Sequence, residues 1–429
     1  MTVQLLTRRQ ALAGVAGFSV ALEAMATNAT ADTALARRKL VVVICRGGLD
    51  GLSLSPPVGD PAYARLRGPI AIPAFAAPGG ALKLDDTFGL HPSLTFAHGL
   101  AMKGEARIAP AIATPDRERS HFEAQDVLES GAPRVYATSS GWLNRALGAM
   151  GPSVKAMSVG PTAPLVLRGK IEAASWSPGG MAERDRRLPA ILQDLYARDP
   201  LLGPALAEGL ATETMAKTAL ADASRTDAAM SDVEMAQGSP IPVPSSPARP
   251  PATPPRQGLD QARKIGATLA GFMVQPGGVQ VAAVSIDNFD THANQGAAQG
   301  QLANRLVYVD AFLNGLQAGL GASWQDSIVV MATEFGRTAH VNGTNGTDHG
   351  TASTALILGG ALRRGGIVGD WPTLQQARLF ESRDTYPTLD MRALFKGLLR
   401  DHLGIDRAAL DRSVFPESAQ IAPVERLVA

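Results

Sequence analysis

Along the chain, short continuous apolar runs alternate with longer stretches in which apolar residues recur every three to four positions. The short runs have the length and composition of strands buried on both faces. The longer stretches have the spacing of amphipathic helices. This alternation predicts an α/β fold, a doubly wound, mostly parallel sheet with helices on both faces. The predicted strands are 40–48, 107–113, 279–286, 327–332 and 354–360, and the predicted helices are 121–130, 301–320 and 388–404.

The middle of the chain breaks this pattern. Residues 212–237 are polar and rich in alanine, and residues 240–255 contain eight prolines in sixteen positions. A helix or a central strand does not tolerate that proline density. We therefore expect one α/β domain over 40–429, interrupted by a low-complexity, Pro-rich insert at about 212–257. The insert is expected to be an extended linker or a disordered excursion, with a role in recognition as the alternative.

The first thirty-one residues have the pattern of an export signal. Arg8 and Arg9 precede a mildly apolar, Ala- and Gly-rich stretch that ends in Ala29-Thr30-Ala31. The alternative is a chance arginine pair on an amphipathic helix. The pattern predicts a twin-arginine signal peptide over 1–31 and export to the periplasm or the extracellular space. Cleavage would leave 38 basic and 38 acidic residues and no integral membrane segment.

Composition excludes several kinds of site. The net charge is +1 with no basic run, which gives no reason to expect nucleic acid as a partner. Cys45 is the single cysteine, so an intramolecular disulfide and a zinc–thiolate cluster are both excluded. A bound metal would need carboxylate, imidazole, hydroxyl or amide ligands.

Polar residues follow four of the predicted strands at the point where each strand ends. In open α/β sheets, ligands bind outside the carboxyl ends of the strands, so these residues are expected to converge on one site. Asp290 and His292 are two positions apart, which places both side chains on one side of an extended segment and suits a divalent metal. The converging residues are Asp50, Ser120, His121, Asp290, His292, Glu334, Arg337, Asp348 and His349.

Each of these residues also has a structural interpretation. Asp50 before a glycine has the position of a turn cap. Ser120 has the position of a helix N-cap, with Glu123 completing a partial capping box. Glu334 has the spacing to pair with Arg337 at the surface. These alternatives stay open at the level of sequence.

Six ordered motifs resemble the exported bacterial domain-of-unknown-function 1501 family. They are RGGLDGL, RSHFEAQD, IDNFDTH, ATEFGRT, GTDHGTA and GGIVGDWP, and the resemblance runs from about Leu40 to Pro416. That family looks like a branch of the alkaline phosphatase and sulfatase superfamily. The resemblance implies an alkaline phosphatase/sulfatase-like α/β fold with a divalent metal site at the strand ends, the metal being zinc, calcium or another ion.

The resemblance also implies roles for individual positions. Asp50 looks like the first metal-binding aspartate, and Ser120 stands at the position of the nucleophile, at a helix start. Asp290 and His292 resemble an aspartate and a histidine that hold one metal, although relatives usually separate them by more residues.

The remaining positions match less completely. Glu334 sits where relatives carry the aspartate of an Asp-His pair, but Phe335 stands in place of the histidine. Close family members often carry Asn at the position of Leu49. His349 resembles the last metal-binding histidine, and Asp348 would ligate the metal or orient that histidine.

The leading hypothesis is a metal-dependent hydrolase of a small phosphate or sulfate ester. Ser120 would attack the ester, Arg119 or Arg337 would hold its oxygens, and His349 or His121 would transfer protons. The alternative is a catalytically degenerate relative that serves as an envelope binding or assembly protein with a protein partner. An isomerase or phosphotransferase on the same scaffold is a third interpretation.

Overall fold

The computed structural model describes residues 35–152, 154–160, 163–178 and 256–429. Ten strands lie within these residues. They are β1 (Lys39–Cys45), β2 (Leu82–Lys83), β3 (Gly89–Leu90), β4 (Ala106–Ala113), β5 (Ala156–Val159), β6 (Ala174–Trp176), β7 (Val281–Ile286), β8 (Ser327–Ala332), β9 (Ser353–Leu358) and β10 (Leu389–Asp390).

Eight of these strands form one mostly parallel sheet. Their order is β10-β4-β9-β8-β1-β7-β5-β6, and β2 and β3 form a separate hairpin. β9 runs antiparallel to both of its neighbours, whereas every other pairing in the large sheet is parallel. The predicted fold class is therefore confirmed.

The central strand β1 shows why the sheet must be covered on both faces. Its alternate residues Val41, Val43 and Cys45 belong to one apolar core, and Leu40, Val42 and Ile44 belong to a second core on the other face. Successive side chains of a strand point to opposite faces, so a continuous apolar run requires two layers of helices.

The described helices supply those two layers. The first core contains residues of α3, α6 and α7, and the second contains residues of α5 and α8. The helices are α1 (Gly51–Leu54), α2 (Tyr63–Arg67), α3 (Thr95–Lys103), α4 (His121–Ser130), α5 (Trp142–Met150), α6 (Arg256–Val274), α7 (Gln301–Leu320), α8 (Met391–Leu403) and α9 (Arg407–Ala409).

Sequence periodicity located the long elements well and the short ones poorly. Strand β8 and helices α4 and α7 have the predicted bounds. The closing helix begins at Met391 rather than at 388, because Leu389 and Asp390 pair with the end of β4. Asp390 then caps the helix through a hydrogen bond from the Arg392 backbone N–H. Strands β5, β6 and β10 are two to four residues long and were not predicted.

The chain on both sides of the predicted insert contributes to the same sheet. β5 and β6 precede it, and β7, which follows it, pairs directly with β5. Most of the predicted insert, 212–255, and the whole predicted signal peptide lie outside the described residues. The insert was predicted to extend to 257, but helix α6 already begins at Arg256. Among the described helices, none has the length and hydropathy needed to cross a bilayer.

The parallel pairing decides where polar loops meet. β1, β4, β7 and β8 run in the same direction, so the segments that follow them leave the sheet at the same edge. That shared edge carries the residues described next.

Candidate metal centre

Three histidines and one aspartate converge at the carboxyl edge of the sheet. Asp290, which follows β7, lies at their centre. Its Oδ1 is 3.0 Å from His292 Nε2 and 3.4 Å from His349 Nε2, and its Oδ2 is 3.4 Å from His121 Nε2. The donor atoms of His121, Asp290 and His349 all lie within 4.8 Å of one another, so this group could hold a metal ion.

Two of the imidazoles are oriented through their other nitrogen. His121 Nδ1 lies 2.9 Å from Glu334 Oε1, and His349 Nδ1 lies 2.9 Å from the Arg119 carbonyl oxygen. A carboxylate and a carbonyl can only accept a hydrogen bond, so each Nδ1 carries the proton. Each Nε2 is then unprotonated in the neutral imidazole and presents its lone pair to the centre of the group.

His292 is held in the same way by the neighbouring loop. Its Nδ1 is 3.4 Å from Asp348 Oδ1, and the Asn342 amide donates to the His292 carbonyl oxygen and to Asp348 Oδ1. The third imidazole thus also directs Nε2 inward. A histidine fixed by a carboxylate or carbonyl at one nitrogen is the usual arrangement of a metal ligand.

The inward atoms have the chemistry and spacing of a zinc-type ligand set. His292 Nε2 and His349 Nε2 are 3.0 Å apart, and the buried His121 Nε2 has no hydrogen-bond partner. Unprotonated nitrogens and a carboxylate repel one another unless a cation lies among them. Tetrahedral zinc with ligands at about 2.0–2.2 Å places neighbouring donors roughly 3.3–3.6 Å apart. The contacts of Asp290 with His121 and His349, at 3.4 Å, match this spacing, whereas those of His292 Nε2 with Asp290 and His349 are shorter, at 3.0 Å.

Arg337 positions Asp290. Its guanidinium donates to Asp290 Oδ1 at 2.5 Å and to the backbone oxygens of Gly47, Gly48 and Thr347. Burial raises the pKa of Asp290, but the hydrogen bond and charge of Arg337 outweigh it, so the pKa is lowered. The prediction that Arg337 holds substrate oxygens does not fit this geometry, because its side chain is fully buried and its donors are already bonded to protein.

Glu334 is a buried carboxylate that contacts the His121 imidazole. Its Oε1 accepts from the Gly47 backbone N–H and the Gln125 amide, and its Oε2 accepts from the Thr333 hydroxyl. Burial raises its pKa, but these bonds and the one from His121 lower it overall. Glu334 therefore remains ionised and acts on His121 Nδ1. It was predicted as a metal ligand; its Oε1 contacts His121 Nδ1, whereas the Nε2 of the same ring faces Asp290.

Asp50 lies outside this group. Its carboxylate accepts from the Ser53 hydroxyl, the Gln295 amide and the Leu52 backbone N–H, and it forms a short ion pair with Arg67. Both partners of the pair are essentially fully buried. Of the two sequence interpretations, the cap is what the structure shows, and this saturated carboxylate leaves little capacity for a metal.

Ser120 directly precedes His121 and is the N-cap residue of helix α4. Its backbone has the extended conformation of an N-cap, but its hydroxyl makes no capping hydrogen bond, so the predicted capping box with Glu123 is absent. Ser120 is half-buried. The residue before it, Arg119, has a φ of +59°. Ion pairs to Glu381 and Asp384 hold Arg119 in this unusual conformation.

Phe335 forms a wall of the centre. Its ring centroid is 4.8 Å from the His121 ring and 4.7 Å from the His349 ring. A Cβ on Gly48, which has a φ of +66°, would lie 2.4 Å from this ring. Phe335 thus packs against both imidazoles and supplies no nitrogen at that position.

Sequence reasoning missed three contributions. It assigned His121 to proton transfer, whereas the structure places it with the ligand group. It did not identify the Arg119 carbonyl or Asp384, because backbone acceptors and residues that act through an ion pair leave no motif. For His121, the available signal in the sequence was its position at the start of a predicted helix, directly after Ser120.

The fold and the site define an α/β protein with a potential metal centre at the carboxyl edge of its sheet. The chain belongs to the family described as protein of unknown function (DUF1501), whose model matches residues 37–414. No curated protein matches the sequence significantly.

Two solved structures resemble the chain broadly. The lipoteichoic acid synthase LtaP from Listeria monocytogenes has a TM-score of 0.40 and 10% identity, over 88% of this chain and 76% of that one. The C-terminal periplasmic domain of EcEptC from Escherichia coli, in complex with Zn, has a TM-score of 0.33 and 10% identity, over 75% and 72%. Structural similarity of this degree does not identify the chemistry of the site, for which the side chains of this protein are the evidence.

The Glu334→Gln variant should bind zinc about 10- to 100-fold more weakly than the wild type, because glutamine cannot fix and polarise His121 as a carboxylate does. Competition with a zinc-binding dye measures the affinity. Glu105→Gln, which changes a carboxylate that accepts from Trp324 at 2.9 Å, is the matched control and should leave affinity unchanged. Equal affinities for wild type and Glu334→Gln would show that Glu334 does not orient a ligand.

The Asp50→Asn variant should lower the free energy of unfolding by about 3–5 kcal/mol, because it leaves the buried Arg67 charge uncompensated. Urea denaturation with and without chelator should give the same loss. The exposed Asp370→Asn control should change stability by less than about 0.5 kcal/mol. A loss that appears only when zinc is bound would return Asp50 to the metal ligands.

In metal-free protein, His121 and His349 should titrate on opposite sides of 6.5. The hydrogen bond to Glu334 raises the pKa of His121, and burial lowers the pKa of His349. Protonated His121 therefore stabilises the fold below pH 6.5, and this contribution is lost as the pH rises through its folded pKa. Neutral His349 stabilises it above pH 6.5, and this contribution is lost as the pH falls through its folded pKa.

Imidazole NMR of chelator-treated protein checks these two titrations. Burial lowers the pKa of His402 to about 4, so its resonance is an internal reference that stays constant over most of the range. The opposite order, with His349 protonated at the higher pH, would contradict the hydrogen-bond assignment.

Proposed function

We propose that the protein is a metal-dependent hydrolase of phosphate or sulfate esters. The observation that carries the proposal is the convergence of three imidazole Nε2 atoms on the Asp290 carboxylate, one of them from His121, which directly follows Ser120 in the chain. A structural role alone gives no reason to direct three lone pairs at one point.

The proposed ligands are His121, Asp290 and His349, whose donor atoms lie within 4.8 Å of one another, and His292 Nε2 lies beside them at 3.0 Å from His349 Nε2. Imidazole nitrogens with one carboxylate favour zinc or a similar transition metal over calcium, which prefers six to eight oxygen ligands, and three protein ligands leave one position open on a tetrahedral ion. When bound, such an ion would polarise an oxygen of the ester and offset its negative charge. Glu334 and Asp348, predicted as ligands, are proposed to orient His121 and His292 instead.

Ser120 is the proposed nucleophile. Its Oγ forms the bond to phosphorus or sulfur, the hydroxyl proton passes to solvent, and the bond to the ester oxygen of the alcohol breaks. The alcohol then leaves with a proton from water, and a second water releases the anion from Ser120. The first turn of α4, which the Ser120 side chain does not cap, can donate backbone N–H groups to the anion.

The proposed ligand role of His121 and His349 excludes proton transfer by either ring. With Nε2 of His121 and His349 directed to the centre, and Nδ1 engaged, neither ring is free to transfer a proton while it ligates. We therefore propose His121 as a ligand rather than an acid or base.

One observation favours the alternative of an envelope binding protein that retains a metal but lacks turnover. Arg337 is saturated by protein acceptors, and Arg119 is paired with two carboxylates, so neither offers its charge freely to a substrate. For both functions the proposed location is outside the cytoplasm, on the evidence of residues 1–31.

Hydrolysis of aryl phosphate and aryl sulfate by chelator-treated protein should be lost and should return on addition of zinc. Ser120→Ala should lower kcat at least about 100-fold in zinc-loaded protein, because no nucleophile remains beside the ion. Ser175→Ala, an exposed hydroxyl on edge strand β6, is the matched control and should retain full activity.

The outcomes separate the two functions. Zinc binding with no hydrolysis of either ester class would favour the binding protein. Hydrolysis that Ser120→Ala leaves unchanged would remove Ser120 as the attacking group.

A further inference from the structure

Three aromatic side chains are strongly exposed within the described residues. Phe122 is 83% exposed, Tyr136 is 69% and Tyr386 is 48%. The other large apolar side chains exposed within the described residues, Met102 and Val274, lie at or near the ends of α3 and α6, which lead into the opposite, amino edge of the sheet. Phe122, by contrast, directly follows His121 of the candidate metal centre at the start of α4.

Helix α4 explains the position of two of these rings. His121, Gln125 and Glu129 are four residues apart and form one stripe, which contacts Glu334 and Arg46. Phe122 begins the adjacent stripe, so its ring stands beside His121 but points to solvent.

Tyr136 is attached to the same outer stripe. Its backbone N–H donates to Asp126 Oδ2 at 2.7 Å, and Asp126 is one helical turn beyond Phe122. The chain that carries Tyr136 is therefore held against the exposed face of α4, on the flank that bears Phe122.

Tyr386 approaches from another segment. Its ring centroid is 6.0 Å from that of Phe380, and the Arg119 guanidinium lies 6.0 Å from the Phe380 ring. Arg119 directly precedes Ser120. Tyr386 is thus connected through the Phe380 ring to Arg119, the residue before Ser120.

We propose that these rings bind the alcohol portion of the ester, and that this portion carries a six-membered ring whose face packs on Phe122. The inference rests on the proposed function in that it places the anionic group at the metal centre. Phe122, Tyr136 and Tyr386 then form the subsite for the leaving group. An aryl group and a pyranose share the flat face that such a subsite recognises.

The composition of the subsite favours a ring over a lipid chain or a protein surface. Among the ring contacts of the described residues, none joins Phe122, Tyr136 and Tyr386 to one another, so they are separate rings rather than one apolar cluster. Two of the three carry hydroxyls, which can donate to and accept from substituents of a ring while the ring faces make apolar contact.

Non-hydrolysable phosphonates test the subsite without turnover. Zinc-loaded, full-length protein is titrated with phenylphosphonate, with a phosphonate analogue of a pyranose 6-phosphate, and with methylphosphonate. At least one ring-bearing probe should bind about tenfold more tightly than methylphosphonate. The two ring probes distinguish an aryl from a sugar source.

The Phe122→Ala variant should lose that tenfold preference while its affinity for methylphosphonate stays within about twofold of wild type. Met102→Ala, an exposed side chain of α3 that precedes the amino edge of the sheet, is the matched control and should keep the preference. Circular dichroism and zinc affinity of both variants show that the fold and the centre are intact.

Each outcome decides the inference separately from the hydrolase. Equal binding of all three phosphonates, or a preference that survives in Phe122→Ala, overturns the ring subsite even if esters are hydrolysed. A ring preference that depends on Phe122 supports the subsite even if no ester is turned over, in which case the hydrolase proposal alone is lost.

Discussion

The Asp290 carboxylate is the point on which the site depends. It receives the buried guanidinium of Arg337 on one side and faces the Nε2 atoms of His121, His292 and His349 on the other. The arginine fixes where the carboxylate lies, and acceptors behind each imidazole fix which nitrogen faces it. The backbone that follows β1 is tied in as well, because Arg337 also donates to the carbonyl oxygens of Gly47 and Gly48. A single guanidinium thus joins three strand ends into one centre.

A second buried network, of hydrogen bonds and one ion pair, connects the segments that follow those strands. Asp50 accepts from Arg67 and from Gln295, and Gln295 in turn accepts from the hydroxyls of Thr291 and Thr347. Thr291 lies between Asp290 and His292 in the chain, and Thr347 directly precedes Asp348 and His349. The network therefore fixes the loops whose outer side chains form the centre, which explains why an aspartate in the RGGLDGL motif lies outside the ligand group. Buried charges of this kind require complete hydrogen bonding, and complete bonding makes the loops rigid.

The sequence was sufficient for the long elements and for the edge at which the site lies. Apolar runs such as that of β1 and the helical spacing of α7 carry enough periodicity to locate both, and parallel strands send their loops to one edge. Two-residue β10 carries no periodicity, and its pairing depends on β4, more than 270 positions away. The alternation in Asp290-Thr291-His292 correctly placed both polar side chains together, since Oδ1 and Nε2 are 3.0 Å apart. Motifs could not distinguish the side chains that face Asp290 from those that lie behind them. Glu334 and His121 are both polar, and only the 2.9 Å contact between His121 Nδ1 and Glu334 Oε1 shows that His121 faces inward.

The charges around Asp290 give a further reason to expect a divalent ion. Asp290, Glu334 and Asp348 are carboxylates whose pKa values are all lowered, and Arg337 is the guanidinium among them. With neutral imidazoles the group has a formal charge of −2, which a divalent cation would balance. The nearby pair of Arg119 and Arg383 is balanced separately by Glu381 and Asp384. Attraction for an anionic ester would then come from the ion's remaining coordination position and the start of α4 rather than from a free arginine. In such a site the charged group contributes little selectivity, so discrimination among esters falls to the groups that contact the alcohol.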